Sequence, residues 1–347
     1  MAYTTIDNPE LYFQAKKYTG NGSTQSITFD GSENMQPDWV WCKSTSQSDN
    51  HAIFDSVRGG QKQLRSNTSG DELTRTNAIS SFDSDGFTMG SQPEMNSNTI
   101  SYISWNWKAG GSASSNSNGS ITSSVSANTT AGFSIVSYTG DGNSGATVGH
   151  GLGAVPSTII LKSRSTNGAQ WTVYHESLGN TKGQQLDTGA AAGTSALYWN
   201  NTTPSSTVFT LGSGGDPNGS GGSIIAYCFA EKQGYSKFGS YTGNGSSDGP
   251  FAYTGFKPAW VMIKNTDSNQ NWVIFDNKRP GFNTIDSILY PNQTDGEQTQ
   301  DSLDFLSNGF KIRVTLNDRN ASGNKHVYWA FAESPFTNSN GVPTNAG

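Results

Sequence analysis

The sequence predicts an all-β protein made of three homologous antiparallel β-sandwich units in tandem. Three observations predict it. Five landmarks recur three times, in the same order, along the 347 residues. Gly, Ser, Thr and Asn supply 156 of those residues, so turn formers abound and strong helix formers are scarce. Nine Trp, 13 Tyr and 17 Phe supply large apolar faces that a disordered chain lacks.

Residues 1–17 read as a lead-in. Asn8-Pro9-Glu10 starts a turn or helix there, and Leu11, Tyr12 and Phe13 form an apolar patch. The first unit, 18–108, opens on Tyr18-Thr19-Gly20, and the same triplet recurs at Tyr138–Gly140 and Tyr241–Gly243. A proline then introduces an apolar strand ending in lysine: Pro37 to Lys43, Pro156 to Lys162, Pro258 to Lys264. The next strand runs from His51 to Asp55, from Trp171 to His175 and from Trp272 to Asp276. Phe87, Phe209 and Phe310 mark a fourth position, and each copy closes on an aromatic strand: Tyr102 to Trp107, Ile225 to Ala230, Val327 to Ala332. Residues 109–128, rich in Gly, Ser and Asn, read as a flexible or loosely draped linker. The second unit spans 129–232 and the third 233–336. The join between them keeps Tyr235 and Phe238, so these two units are expected to pack together. A tail, 337–347, has turn formers and no apolar period.

Units of about 100 residues with roughly six to eight short strands have the size of a jelly-roll or concanavalin-like sandwich. Strand side chains alternate between faces, which puts Val40 and Cys42 on one side and Trp39 and Trp41 on the other. Val327, Trp329 and Phe331 likewise separate from Tyr328 and Ala330. Near-continuous apolar runs such as Ile159-Ile160-Leu161 predict strands covered on both faces, by the second sheet and by an adjoining unit.

Composition excludes several functions. A net charge of −6 offers no basic excess for phosphates, so no nucleic-acid partner is expected. No run approaches the ~18 apolar residues of a membrane span, and the first residues lack a basic, apolar leader, so synthesis in a cytoplasm is expected. Cys42 and Cys228 read as buried hydrophobes in different units rather than a disulfide. His51, His150, His175 and His326 share no metal-ligand spacing, and neither metal nor cofactor is expected. Gly149 to Gly153 read as a loop needing positive φ, not a phosphate cradle.

Paired carboxylates hydrolyse glycosides, and Asp55, Asp276, Glu231 and Glu333 are the candidates. Repetition argues against that use. Arg58 and Arg279 each stand three residues beyond their aspartate, which reads as a local pair pinning a turn. The Gly/Ser segment from Gly212 to Gly222 reads as a flexible loop with no nucleophile elbow. The chain is therefore read as no enzyme. Eight tryptophans fall in the repeated strands. Trp199 does not, and with Asn200 and Asn201 it is the candidate exposed contact for a glycan.

These landmarks, the opening Ala2 to Pro9 and the segment Gly239 to Gly245 resemble a family of virion-associated proteins of tailed phages, common among marine podovirus-type and cyanophage-like genomes. The resemblance runs from Met1 to Pro343. It implies a structural protein on the exterior of the virion, partnered by other tail or capsid proteins, and carries over no catalytic or binding residue. A tail-fibre or adsorption role in host attachment stands ahead of head decoration. A true homotrimer, a lectin module for host surface glycan and a polysaccharide depolymerase are the alternatives. The charged fraction of only 14% agrees with a marine setting, where the Debye length is roughly 4 Å and surface ion pairs contribute little.

Overall fold

The computed structural model describes residues 3–280 and 282–344. Antiparallel strands dominate it. The helices among the described residues are a 3-10 turn at Pro9–Leu11 and four single-turn α-helices, Pro93–Asn96, Ala196–Trp199, Gly215–Asn218 and Asn317–Asn320. The protein is all-β.

One four-strand order occurs three times. In the first repeat the strands are Phe13–Thr19, Ser101–Trp107, Trp39–Ser44 and Ala52–Asp55. In the second they are Phe133–Thr139, Ser223–Phe229, Thr158–Ser163 and Thr172–His175. In the third they are Ser236–Thr242, Lys325–Pro335, Phe256–Asn265 and Val273–Asp276. The closing aromatic strand always lies between the opening strand and the proline-led strand. Trp107 faces Trp39, Phe229 faces Thr158 and Phe331 faces Trp260 across that pairing.

Both faces of these inner sheets are buried, which explains their unbroken apolar runs. One face of each joins a single core shared by all three repeats: Trp39, Trp41, Trp105 and Trp107 with Phe133, Tyr227 and Phe229 and with Trp260, Trp329 and Phe331. The other face packs on an outer sheet to make a core private to each repeat. Strand alternation sorts the residues: Val40 and Cys42 enter the first private core while Trp39 and Trp41 enter the shared one. All nine tryptophans are 2% exposed or less. In the shared core Trp39 stacks on Tyr227 at 4.4 Å, and Trp107 stands edge-on to Trp260 at 5.5 Å.

The repeated triplet is a fastener. Tyr18, Tyr138 and Tyr241 each donate to a backbone carbonyl of the helix before the closing strand, at Met95, Pro217 and Arg319 (2.9, 2.7 and 2.6 Å). That helix ends in a fully buried asparagine: Asn96, Asn218 or Asn320. Its side chain accepts from the backbone N–H of Asn21, Asp141 or Asn244, just after the triplet. The glycine is required because a Cβ at Gly20, Gly140 or Gly243 would lie 2.2–2.4 Å from a carbonyl of the passing chain.

Two expectations need correction. Residues 109–128 are not a loose linker: Ser114–Asn116 pairs with Ser123–Asn128, which pairs with Phe133–Thr139, extending the second inner sheet. Backbone pairing does not depend on side-chain polarity, and Ile121 and Val125 bury into the second private core. The Gly/Ser segment near Gly212 contains the helix Gly215–Asn218, fixed by Asn218. Cys42 and Cys228 are free and buried, and burial pushes the Cys42 thiol up to about 12.

Candidate functional site

The chemistry-bearing side chains gather at the seams between repeats. There they form a cycle. Each lysine that ends a proline-led strand is fully buried and donates to a carbonyl of its own repeat and to one of the repeat before it, the first repeat reaching round to the third. Lys43 reaches Thr294 of the third repeat, Lys162 reaches Ser69 of the first, and Lys264 reaches Gly189 of the second, at 3.2, 3.2 and 3.0 Å. The same three carbonyls accept backbone N–H groups of Asp49, Gly168 and Gln270. Burial pushes Lys43 and Lys162 down to about 8 and Lys264 to about 7, against the pull of nearby aspartates.

The closing strands repeat the direction. Trp105 of the first repeat donates to Asp276 of the third, Tyr227 of the second to Asp55 of the first, and Trp329 of the third to Thr158 of the second (3.0, 2.8 and 2.9 Å). Asp55 and Asp276, both fully buried, are each paired with the arginine three residues on. Arg58 and Arg279 also reach Glu72 and Glu297. Glu231 and Glu333 are paired with Lys237 and Lys257. The four candidate carboxylates are thus spent on cations, not aimed across a shared groove. In the second repeat His175 occupies the aspartate's place, and it faces the Tyr328 carbonyl at 3.3 Å.

The glycan contact expected at Trp199 is corrected. Trp199 is fully buried, edge-on to Tyr174 at 5.5 Å in the second private core. Its place in a polar loop concealed that the single-turn helix Ala196–Trp199 turns the indole inward. Asn200 and Asn201 follow in the left-handed region (φ 49° and 52°), and Asn200 accepts from Ser144 at 2.8 Å. Leu197 is the large side chain this turn exposes.

A model described as Domain of unknown function (DUF7483) matches residues 8–335. The chain belongs to that family. No curated protein and no solved structure matches it. The match takes in all three repeats and every seam contact above.

An exposed aromatic pair lies elsewhere within the family domain. The third outer sheet orders Phe251–Tyr253, Gly309–Ile312, Gln298–Leu306 and Ile285–Ile288. Ala252 faces Phe310 in its register, as Val148 faces Phe209 and Ile27 faces Phe87 in the other repeats. That register aligns Phe251 with Thr147 and Ser26, and Tyr253 with Gly149 and Thr28. Phe251 and Tyr253 are 44% and 55% exposed on the outer face. Lys311 stands opposite Phe251 and Asp304 opposite Lys311, making one row across three strands. Lys311 is paired with Asp248 at 2.7 Å and Asp304 with Arg313 at 2.5 Å. Tyr3 closes one side, donating to the Gly255 carbonyl at 2.7 Å. Sequence reading missed this pair because the landmarks were chosen for likeness. Aligning the copies on Phe87, Phe209 and Phe310 and looking for unlike residues finds it.

Two surface concavities differ in lining, the smaller one mixing Phe282, Ile285 and Phe305 with Lys257 and Glu333. The larger, of about 530 Å³, is lined by Ser23, Thr24, Thr76, Asn77, Ser80 and Ser91 with flanking Gly and Ala, and no ionisable group. No helix among the described residues is long and apolar enough to cross a membrane.

Proposed function

We propose that the chain is a non-enzymatic structural component of a tailed-phage particle, placed in the tail-fibre or adsorption apparatus and contributing to host attachment. One observation carries the reading. A frame repeated three times is locked internally at every seam, and its likeness is broken on the outside by the exposed pair Phe251 and Tyr253. A rigid frame with one differentiated face suits display rather than turnover. The resemblance to virion-associated proteins supports the particle, and the small neutral surface supports life outside a cell.

The aromatic pair also favours glycan binding as the means of attachment. A sugar ring has an apolar C–H face that stacks on an aromatic ring, and hydroxyls that need donors and acceptors beside it. Lys311, Arg313, Asp304 and the Tyr253 hydroxyl supply those. Imaging purified particles with an antibody to this chain tests the placement. Label at the tail is expected. Label over the shell makes it a head decoration, and unlabelled particles end the reading. A saccharide array tests the mode of attachment: Tyr253→Ala is expected to abolish binding that the intact chain shows, and no signal from the intact chain removes the glycan.

A further inference from the structure

We infer that the seams around the third repeat are acid-sensitive latches, so that mild acid detaches this repeat's inner sheet while the first and second remain locked. The latches are His51 and His175. Both are fully buried, and both stand where the other repeats carry a different residue. His51 takes the place of Trp171 and Trp272, and His175 that of Asp55 and Asp276.

Both rings are committed as neutral imidazoles. Nδ1 of His51 accepts the Trp41 indole N–H at 2.9 Å, which leaves Nε2 to donate to the Tyr290 carbonyl of the third repeat at 3.0 Å. Nδ1 of His175 accepts the Ser177 N–H at 3.1 Å, which leaves Nε2 to donate to the Tyr328 carbonyl, again of the third repeat, at 3.3 Å. A second proton turns each Nδ1 into a donor facing a donor. The arriving charge is not compensated. Lys43 acts on His51 and Lys325 of the third repeat on His175, both cations. Trp41 and Asn67 flank His51, and Trp329 stands edge-on to His175 at 4.7 Å. Glu176 follows His175, and Glu231 nearby is held by Lys237. No carboxylate hydrogen-bonds either ring among the described residues.

The seam between the first and second repeats has no histidine in these places. Trp171 donates to the Arg65 carbonyl at 2.9 Å, and Tyr227 bridges Asp55 and Arg58. Arg164 grips both oxygens of Glu72 at 2.8 and 3.0 Å. Burial raises Glu72, but Arg164 and Arg58 outweigh it and hold its pKa below the ordinary value. Glu72 therefore keeps its charge below the ordinary carboxylate range. Asp187, which accepts the Trp171 N–H beside Lys162, is pushed up to about 6 by burial and takes its proton within the fold, which does not favour opening.

The sign of the effect follows from linkage. Burial pushes His175 down to about 4 and His51 well below its usual value, so opened forms bind protons first as pH falls below about 6.5. Opening is then favoured by up to about tenfold per pH unit for each histidine.

Hydrogen exchange of the full chain, stepped from pH 7.5 to 4 and corrected for intrinsic rates, tests this. Protection is expected to fall first in Val273–Asp276, residues 290–294 and Lys325–Pro335, by at least about tenfold. Residues 65–72 and 164–171 are expected to hold. The double variant His51→Trp, His175→Gln should hold the third repeat's protection to lower pH than the parent does, the remaining loss coming from His326, which is buried in the closing strand and likewise held below its usual pKa. Simultaneous loss at all three seams, unchanged protection down to pH 4, or a folded double variant as acid-sensitive as the parent each overturn the inference. If the double variant does not fold, the order of loss in the parent chain decides.

Discussion

The inner faces of the three repeats and their outer sheets have followed different rules. Inside, one four-strand order in one register occurs three times, extended by further strands in the second repeat, and each seam uses an equivalent lysine donating to a carbonyl in the same direction. Outside, the sheets have three, two and four strands. Inner residues such as Phe229 and Phe331 touch two other repeats, so a change of shape there has to be matched twice. An outer residue touches its own repeat and solvent. Likeness thus records packing, and Phe251 and Tyr253 lie where that constraint is weaker.

Truncating the shared core should break this comparison most severely. Trp107→Ala removes a ring that meets Trp39, Trp260 and Phe331, and a loss of about 3–5 kcal/mol is expected from denaturant melts. Its exchange protection should fall in the first and third repeats, which the ring joins, whereas Phe209→Ala should weaken mainly the second. Equal spread from both variants would mean that the private cores are not private.

A smaller effect tests the triplet. Gly140→Ala forces a Cβ to 2.4 Å from the Gly219 carbonyl, with an expected cost of about 1–3 kcal/mol. Gly20→Ala and Gly243→Ala should cost similar amounts, because the same helix passes each. Unequal costs would show that the fastener matters more in one copy. The smallest effect belongs to the surface that broke the likeness. Tyr253→Ala should leave the melting curve within about 0.5 kcal/mol, since the side chain is 55% exposed. A large loss would make the aromatic pair structural and withdraw it as an attachment face.

Much of the architecture was legible in advance. The all-β class followed from composition and landmarks, and the alternation of Trp39 and Trp41 against Val40 and Cys42 assigned faces correctly. The stretch 109–128 was misread because its strands carry a weak hydrophobic signal and are held by backbone pairing. Trp199 was misread because a single helical turn reverses a side chain without leaving a periodicity to detect. The site was less legible than the fold. Phe251 and Tyr253 look like ordinary strand residues until the register fixes which face they occupy.

Local order determined by the chain itself includes strand formation, the turn at each Tyr-Thr-Gly and which residues share a face, because these depend on neighbours a few positions away. Tertiary structure alone decided that Lys43, Lys162 and Lys264 reach across to other repeats, that Tyr227 and Trp105 donate across the seams to Asp55 and Asp276, and that His51 and His175 both face the third repeat. Those contacts join residues 75 to 251 positions apart in the chain, from Lys264 and Gly189 to Lys43 and Thr294. A partner that distant is chosen by how three sheets close around a common core, and no local pattern carries that information.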